Sequence, residues 1–511
     1  MRLTFAVGRI PIEIVVMPIH QVPHSRRQNR PPIGRRARSA AAVVAGRASG
    51  ALARRLRLGG GTSLPGLVAN RLDPEITAYL GAQLRHGCVV VTGTNGKTTS
   101  SGLIASVLRA ARLRVWRNRE GANLARGITA SLVIRALPTG NLRRGGNAVA
   151  VFEVDEASFP QVMRELRPRA VVVTNLFRDQ LDRYGEVDTV AERWRNALAD
   201  LSTTATLILN ADDPAVAALA DADPLVNTIY YGVDEAPAAL LEGTAAGEIE
   251  VVDTRTCPRC HGPLTYSVRF YSHVGHWACP SCGFARPTPA VRARELVADG
   301  LDGMSFLLET PSGAQEAHIG LPGFYNVYNA LAAAAVGLAL NAPLATTITA
   351  LGSFKPAFGR AERIAVGERA VRLLLAKNPT GMNETLRALA TGGRIGHIML
   401  ALNDYPADGE DVSWIWDADI ERLRAIVGPD TQLTVSGVRA YDLALRLKYA
   451  EIAPQHVEPE IPKALAHALA QTPAGDTLVI IPTYTALLAV RGELERQGYA
   501  PHYWEQRDVG A

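Results

Sequence analysis

The segment VVVTGTNGKTTS holds the residue types that bind phosphate groups. Gly93 and Gly96 lie between an apolar run and a helical pattern, where backbone N–H groups and the positive end of a helix bind anions. Lys97 is expected to reach the terminal phosphates, and the Thr98 hydroxyl to bind Mg²⁺. We predict a nucleotide site here, against the alternative of an ordinary strand-to-helix turn. The predicted nucleotide-binding residues of this segment are Gly93, Thr94, Asn95, Gly96, Lys97, Thr98 and Thr99.

Four of the five cysteines form two C-x-x-C pairs, Cys257 with Cys260 and Cys279 with Cys282, separated by eighteen residues. This spacing is typical of zinc ribbons. Four thiolates complete a tetrahedral site and leave no position for water, so we expect the zinc to be structural. A redox pair and a nucleic-acid-binding ribbon are the alternatives, and the second is disfavoured because the surrounding sequence lacks a dense basic stripe.

A third segment, ADGEDVSWIWDADI, places five acidic residues around Trp414 and Trp416 with no basic residue among them. One of these carboxylates could be held in place by the aromatic side chains to orient a histidine. Asp411 is our choice, and Asp417 is the second candidate. Asp417 could instead be the N-cap of a helix over ADIERLRAIV. The third possibility is a solvated acidic loop.

Apolar, β-branched runs alternate with amphipathic helical patterns through most of the chain, which predicts an α/β protein with parallel sheets. The predicted strands are CVVVTG, AVAVFEV, RAVVVTNL, ATLILNADD, AVRLLLA, HIMLALN, QLTVSG and DTLVIIP. The first four belong to a P-loop domain that contains the zinc-ribbon insert. The last four belong to a second, Rossmann-like α/β domain.

The 511 residues divide into three predicted regions. Residues 1–45 form a basic, disordered leader, residues 46–360 the ATP-binding domain with its insert at about 245–290, and residues 361–511 the C-terminal domain. Residues 1–60 hold twelve arginines and one acid, so of the total net charge of +5 the remaining residues contribute −6. The net positive charge therefore does not indicate nucleic-acid binding. We find no run of eighteen apolar residues and predict no transmembrane segment.

The nucleotide loop has the short form T-G-T-x-G-K-T and resembles that of the Mur ligases, the ATP-dependent amide-forming enzymes of cell-wall synthesis. Further segments continue this resemblance in order along the chain. It implies that Glu153 in FEVDEASF binds Mg²⁺ together with Thr98. It also implies that Asn329 in GFYNVYNALAA contacts adenine, and that Arg360 in FGRAER lies near the ATP phosphates.

Three departures from the family pattern concern the part of the site that accepts an amine. Gln180 stands where the family usually has a metal-binding histidine, and no lysine follows between Asp179 and Asp213 to be carbamylated. The C-terminal D-Y-A-H-x-P segment is replaced by AKNPTGMNETL, residues 376–386. ATP activation of a carboxylate is still implied, but the addition of a whole amino acid is disfavoured.

The four-cysteine insert, KNPTGMNE and DGEDVSWIWD together resemble one branch of the family, the synthetase subunits of lipid II isoglutaminyl synthase. The resemblance runs from about Leu52 to the C-terminus. It implies that ATP activates the α-carboxyl of D-glutamate in the lipid II stem peptide as an acyl phosphate, which ammonia converts to D-isoglutamine. The resemblance also implies that a GatD-like glutaminase subunit supplies the ammonia and that an aspartate of this chain, for which Asp411 is our choice, completes the catalytic triad of that subunit. The enzyme would work in the cytoplasm, at the inner face of the membrane, without nucleic acid.

The cysteine count independently indicates a partner. Glutamine hydrolysis of this kind needs a cysteine activated by histidine. Four cysteines are assigned to metal, and Cys88 lies in an apolar predicted strand. Two other functions stay open at this point: a Mur or folylpolyglutamate-type ligase that adds an amino acid, and a non-enzymatic zinc-ribbon protein switched by nucleotide.

Overall fold

Two large β-sheets dominate the computed structural model, which describes residues 2–7, 10–15, 33–55, 63–118, 121–143, 148–177, 187–237, 254, 256–355 and 360–500. The strands are β1 (Arg2–Val7), β2 (Ile10–Val15), β3 (Cys88–Thr92), β4 (Arg114–Arg117), β5 (Ala148–Glu153), β6 (Ala170–Val173), β7 (Thr206–Asn210), β8 (Asn227–Val233), β9 (Thr265–Tyr271), β10 (Val274–Ala278), β11 (Val291–Ala298), β12 (Met304–Thr310), β13 (Gly313–Ile319), β14 (Arg360–Val366), β15 (Arg369–Leu374), β16 (His397–Ala401), β17 (Gln432–Ser436), β18 (His456–Glu458) and β19 (Thr477–Pro482).

The α-helices cover both faces of these sheets. They are α1 (Ile33–Arg55), α2 (Leu64–Leu72), α3 (Ile76–Gly81), α4 (Lys97–Ala110), α5 (Ala125–Arg135), α6 (Phe159–Leu166), α7 (Val187–Leu198), α8 (Pro214–Ala217), α9 (Tyr325–Ala339), α10 (Leu344–Gly352), α11 (Pro379–Thr391), α12 (Leu423–Ile426), α13 (Ala440–Tyr449), α14 (Ile461–Gln471) and α15 (Tyr484–Arg496). Short 3-10 helices occupy Ala218–Ala222, Ser413–Trp416 and Ile420–Arg422. Within the described ranges, no helix has the length and apolar character needed to cross a bilayer.

The first sheet has nine strands in the order β13-β12-β11-β8-β7-β6-β3-β5-β4. Strand β3 is the third strand from the β4 edge, pairs in parallel with both β5 and β6, and is buried along its whole length. The parallel pairings confirm the predicted sheet. A strand that is buried on both faces is a continuous apolar run in the sequence, which is why β3 could be predicted. The antiparallel edge β11-β12-β13 was not predicted, because β13 (GAQEAHI) is mostly exposed and has no apolar run.

The second sheet has six strands in the order β14-β15-β19-β16-β17-β18. All of its pairings are parallel except the β14-β15 hairpin. All four strands predicted for this region are present, so the prediction of a second α/β sheet is confirmed. The division of the chain at position 360 stays a prediction.

The insert forms a separate two-stranded hairpin, β9-β10, beside the four-cysteine cluster. It packs against the first sheet through buried contacts. Trp277 Nε1 donates to the Ala211 carbonyl at 3.1 Å, and the Gly275 N–H donates to the Asp212 carbonyl at 2.9 Å. Because Ala211 and Asp212 directly follow β7, these contacts place the hairpin at the carboxyl edge of the sheet.

Two sequence predictions are wrong in part. Residues 33–45 of the predicted disordered leader belong to helix α1, where Ala42 and Val43 are fully buried in one apolar cluster with Ala69. The predicted helix over ADIERLRAIV is replaced by a 3-10 turn and the single-turn helix α12. Asp417 follows the preceding 3-10 helix and does not cap a new one, because the Asp419 N–H is held by Asn383 Oδ1 at 2.8 Å.

Candidate active site

The predicted phosphate loop connects β3 to α4 and needs both of its glycines. Gly93 and Gly96 have φ angles of 134° and 80°, values that favour glycine. A Cβ on Gly96 would lie 2.2 Å from Asn329 Oδ1, and one on Gly93 would lie 2.1 Å from Thr174 Oγ1. The loop therefore has room for its backbone alone, as a cradle of N–H groups requires.

The residues that follow β6 hold this loop in shape. The Asn95 N–H donates to Asn175 Oδ1 at 2.8 Å, and Thr174 Oγ1 donates to the Asn95 carbonyl at 2.8 Å. Thr94 Oγ1 donates to the Phe177 carbonyl at 3.1 Å and accepts from the Phe177 N–H at 3.0 Å. The Thr94 hydroxyl thus makes its hydrogen bonds within the protein, to the Phe177 backbone. The supporting roles of Thr174 and Asn175 were not predicted, although both residues lie in the predicted strand RAVVVTNL and directly follow β6.

Lys97 is buried and paired with an acid that the sequence analysis missed. Its Nζ lies 2.6 Å from Glu156 Oε1, and it also donates to the carbonyls of Thr94, at 3.1 Å, and Gly93. Burial raises the pKa of the Glu156 carboxyl, while the positive charge of Lys97 lowers it. Glu156 stands three residues after Glu153 in FEVDEASF, and this acidic pattern was its only sequence signal.

The two predicted magnesium ligands lie together. Thr98 Oγ1 donates to Glu153 Oε1 at 2.9 Å, at the end of β5 beside the first turn of α4. The Glu153 N–H is held by Asn118 Oδ1 at 2.9 Å. A hydroxyl and a carboxylate oxygen are ligands that Mg²⁺ prefers. These two residues therefore fit the ion, together with phosphate oxygens and water.

A cavity that is partly open to solvent lies beside the loop. Its lining residues come from the first sheet, the hairpin and the C-terminal region. They include Asn95, Gly96, Thr99, Asn175, Phe177, Tyr271, Leu321, Tyr325, Asn326, Asn329, Leu374, Thr380, Gly381, Glu384 and Thr385. Asn329 accepts from Ser100 Oγ at 2.9 Å and donates to Asn326 Oδ1 at 2.9 Å, which fixes the amide. Thr99 and Asn329 thus lie where a nucleoside attached to loop-bound phosphates would fit.

Asn378 joins the C-terminal region to the phosphate loop. It is the N-cap of α11, where its Oδ1 accepts from the Gly381 N–H at 2.8 Å, and its Nδ2 donates to Asn95 Oδ1 at 3.1 Å. Asn378 belongs to AKNPTGMNETL, the segment that departs from the family pattern. The segment that departs from the family pattern therefore lies next to the nucleotide loop, and the sequence alone did not predict this position.

Some predicted features lie outside the described residues. The Arg360 side chain is one of them, although its backbone begins β14. Gln180 is another, and so are the other residues at the start of the lysine-free stretch, up to position 186. The roles of these residues stay predictions.

The four cysteine thiols of the insert converge as the C-x-x-C spacing predicts. All four Sγ atoms lie within 4.8 Å of one another. The Cys257–Cys282 and Cys260–Cys279 Sγ distances are 3.6 and 3.5 Å. A tetrahedral zinc site with Zn–S bonds of about 2.3 Å needs sulfur separations of about 3.8 Å. The cluster therefore fits a zinc ion with small adjustments. Two tight turns, Cys257 N–H to Gly262 O and Cys279 N–H to Phe284 O, both 2.7 Å, present the thiols.

We expect the double variant Cys257→Ser/Cys260→Ser to lose about one zinc per chain and several kcal/mol of stability, because structural zinc contributes directly to folding. Metal content by atomic emission and thermal unfolding would measure both. Cys88→Ala, which changes a cysteine of the β3 core, should keep the zinc. Wild-type protein purified without zinc would contradict the assignment.

The acidic segment has one anchoring carboxylate and an exposed one. Asp408 is buried, and its Oδ1 accepts from the Thr485 N–H at 2.7 Å. Asp411 is exposed, and the hydrogen bond that its carboxylate accepts from the Ser413 N–H, 2.8 Å long, lowers its pKa. Gly409 makes the turn between them with a φ of 90°. A charged Asp411 is thus held on an anchored loop and open to a partner.

Asp417, the second candidate, is exposed as well. Trp416 beside it is 48% exposed and packs edge-on against Tyr449, with ring centroids 5.3 Å apart. The choice between Asp411 and Asp417 stays a prediction, to be decided by substitution.

The phosphate loop on a parallel sheet, the Thr98–Glu153 pair and the second α/β sheet define a Mur-type ligase, a fold that implies the use of ATP and Mg²⁺. Family models agree: residues 91–256 match the Mur ligase middle domain and residues 375–487 the MurT ligase C-terminal domain. The chain belongs to the MurT family. Over 458 residues it is 35% identical to "Lipid II isoglutaminyl synthase (glutamine-hydrolyzing) subunit MurT" of Staphylococcus aureus strain COL, covering 89% of this chain and 96% of that protein.

Other comparisons support the family and the fold. The protein of the same name from Streptococcus pneumoniae R6 is 32% identical, over 85% of this chain and 92% of its own. Among solved structures, a pseudomurein peptide ligase type C from Methanothermus fervidus matches with a TM-score of 0.59 at 24% identity, covering 80% of this chain and 78% of that chain. MurF from Acinetobacter baumannii matches with a TM-score of 0.59 at 16% identity, covering 86% and 79%. At these identities the solved structures support the fold alone.

Proposed function

We propose that this chain is the synthetase subunit of a glutamine-hydrolysing lipid II isoglutaminyl synthase. In the proposed reaction, ATP phosphorylates the α-carboxyl of D-glutamate in the lipid II stem peptide, and ammonia displaces the phosphate to give D-isoglutamine. A GatD-like glutaminase subunit supplies the ammonia. The substrate comes from the name of the relatives, and the chemistry of the site supports the activation step.

The observation that carries this proposal is the arrangement of Lys97, Thr98 and Glu153 around one glycine loop. The substrate carboxylate attacks the γ-phosphorus, and negative charge develops on the transferred phosphoryl group. The Lys97 ammonium group would move away from Glu156 and toward the phosphoryl group, where its positive charge offsets the developing negative charge. Thr98 and Glu153 would hold Mg²⁺, which supplies further charge compensation when bound.

The need for a separate glutaminase follows from the state of the cysteines. Cys88 lies in the core of β3, and burial raises the pKa of its thiol to about 12. A thiol with that pKa is neutral at physiological pH and is not a useful nucleophile. The other four cysteines form the cluster assigned to structural zinc. No cysteine of this chain is therefore available to hydrolyse glutamine.

Asp411 is proposed to complete the active site of the partner. A glutaminase with its own cysteine and histidine needs a third group to orient the imidazole and stabilise its charged form. An exposed carboxylate on an anchored loop can enter another subunit's site. The complex would act at the inner face of the cell membrane, where the lipid-linked peptide is presented.

Reconstitution tests the proposal directly. The chain would be co-expressed with the products of neighbouring genes, and a co-purifying glutaminase-like protein identified by mass spectrometry. We expect the complex to convert lipid II to its amidated form only with ATP and with glutamine or ammonia, a change of about −1 Da per stem peptide. ATP turnover without this product, or addition of an amino acid instead of ammonia, would contradict the proposed function.

A further inference from the structure

Arg286 connects the four-cysteine cluster to the first sheet. It lies four residues after Cys282, and its N–H donates to the Trp277 carbonyl at 3.0 Å. The guanidinium is mostly covered, with 14% of the side chain exposed. The turn that presents Cys279 and Cys282 therefore also fixes the point at which the Arg286 side chain enters the protein.

The Arg286 guanidinium is bonded to a fully buried carboxylate. Its Nε donates to Asp212 Oδ1 at 2.5 Å, and its Nη2 donates to the Val233 carbonyl at 2.9 Å and to Asp234 Oδ1 at 3.0 Å. Asp212 is buried just beyond the end of β7. Because an uncompensated charge is costly in the interior, we expect the Asp212 carboxylate to follow the guanidinium if the latter moves.

The other oxygen of Asp212 reaches helix α9, which packs on the phosphate loop. Asp212 Oδ2 accepts from the Tyr328 hydroxyl at 2.7 Å. The next residue, Asn329, accepts from Ser100 Oγ at 2.9 Å and lies directly against Gly96. A continuous series of hydrogen bonds and one helix turn thus joins the cysteine cluster to the loop that binds phosphate.

We propose that Arg286, Asp212 and Tyr328 are positioning residues that make nucleotide affinity depend on the zinc content of the ribbon. Without zinc, the turn around Cys279 is no longer cross-linked to the first C-x-x-C pair, and Arg286 loses its fixed entry point. The Tyr328 hydroxyl then loses its partner, and α9 no longer supports the loop. The inference rests on the zinc assignment, and on the proposed function only in taking the loop as a nucleotide site.

Coupling between two binding sites is reciprocal, so it can be measured from either side. Calorimetric titration of the zinc-loaded and the chelator-treated full chain with AMP-PNP, a non-hydrolysable ATP analogue, in excess Mg²⁺ gives one side. We expect the loss of zinc to weaken binding at least about tenfold. Competition with a chromogenic chelator measures the zinc affinity, and saturating AMP-PNP should raise this affinity by the same factor.

Tyr328→Phe isolates the proposed route. It removes the hydroxyl that joins Asp212 to α9 but leaves the carboxylate its bonds from Arg286 and from the Val233 N–H, the latter 2.7 Å long. The variant should keep about one zinc per chain, while the coupling falls to about threefold or less. A merely structural defect would lower the two affinities without removing the dependence of one on the other.

Tyr230→Phe is the matched control. Tyr230 packs against the cysteine cluster, and its hydroxyl donates to the Ala217 carbonyl at 3.3 Å, away from α9. This variant should keep the full coupling. Arg286→Lys is a second test of the route, because lysine keeps the positive charge but cannot reproduce the three bonds of the guanidinium. It should lower the coupling as Tyr328→Phe does.

Equal affinity for AMP-PNP with and without zinc would overturn the inference, and so would full coupling in folded Tyr328→Phe and Arg286→Lys. If the zinc-free chain does not stay folded, the zinc affinity of the loaded protein with and without AMP-PNP decides the matter. A chain that shows the coupling but does not amidate lipid II would contradict the proposed function and leave this inference standing.

Discussion

Lys97→Ala should abolish ATP-dependent amidation in the purified complex. The substitution removes the cation that compensates charge on the transferred phosphoryl group, and losses of about 10²–10³-fold are usual for a single electrostatic contact of this kind. Product formation by mass spectrometry and ATP turnover would both be measured. Undiminished turnover in the variant would contradict the nucleotide site.

The same substitution has a second effect that needs its own control. Removing Lys97 leaves Glu156 buried without its 2.6 Å partner, and breaking a buried pair costs about 3–5 kcal/mol. Lys97→Ala/Glu156→Gln should recover much of this stability without recovering activity. A double variant that regained activity would show that Lys97 acts only through the fold.

The single variant should also become sensitive to pH. Burial raises the pKa of Glu156, and Lys97 opposes that rise. Without Lys97 the native state binds the Glu156 proton more tightly than the unfolded state does. The free energy of unfolding of Lys97→Ala should therefore fall as pH rises above the ordinary glutamate value of about 4.3. Chemical denaturation across pH 4–8 would measure this, and Glu156→Gln in the double variant should remove the added dependence.

Asp411→Asn is expected to lose almost all glutamine-dependent amidation, by roughly 10³–10⁴-fold, while ATP binding and association with the partner are preserved. An asparagine can no longer stabilise the charged form of the partner's histidine. Amidation driven by added ammonium should change much less, because that route bypasses glutamine hydrolysis. Both rates would be measured on the same preparation of the complex.

Two neighbouring substitutions make this result specific. Glu410→Gln removes an adjacent exposed charge and should have little effect on either rate. Asp417→Asn tests the second candidate in the same segment. Normal use of glutamine by Asp411→Asn, or an equal loss of the ammonia-driven reaction, would rule out the triad role of Asp411.

The sequence predicted the features that depend on neighbouring residues. The phosphate loop needs only a strand, two glycines and a helix in succession, and the cysteine cluster only two tight turns at a fixed spacing. The buried strands of both sheets were predicted because β-branched apolar runs such as CVVVT are typical of strands that are buried on both faces of a sheet. The family resemblance then assigned Glu153, which does lie beside Thr98.

The features that were missed depend on distant parts of the chain meeting. Glu156 is separated from Lys97 by 59 positions, and Asn378 from Asn95 by 283. Glu384 looks like an ordinary polar residue of a helix until the hairpin and the phosphate loop enclose it. No local pattern distinguishes such side chains, so only the folded arrangement could reveal them.

The contacts around the nucleotide cavity also bear on the rate of turnover. Asn378 bonds to the phosphate loop at 3.1 Å, and Arg387 bonds to the hairpin at 2.6 Å, so the C-terminal region is attached on two sides of the cavity. We expect a product nucleotide bound there to leave faster when this attachment loosens. In many enzymes that close around a ligand, opening is slower than the chemical step. We therefore expect ADP release to limit the steady state, with a burst of acyl phosphate formation in the first turnover.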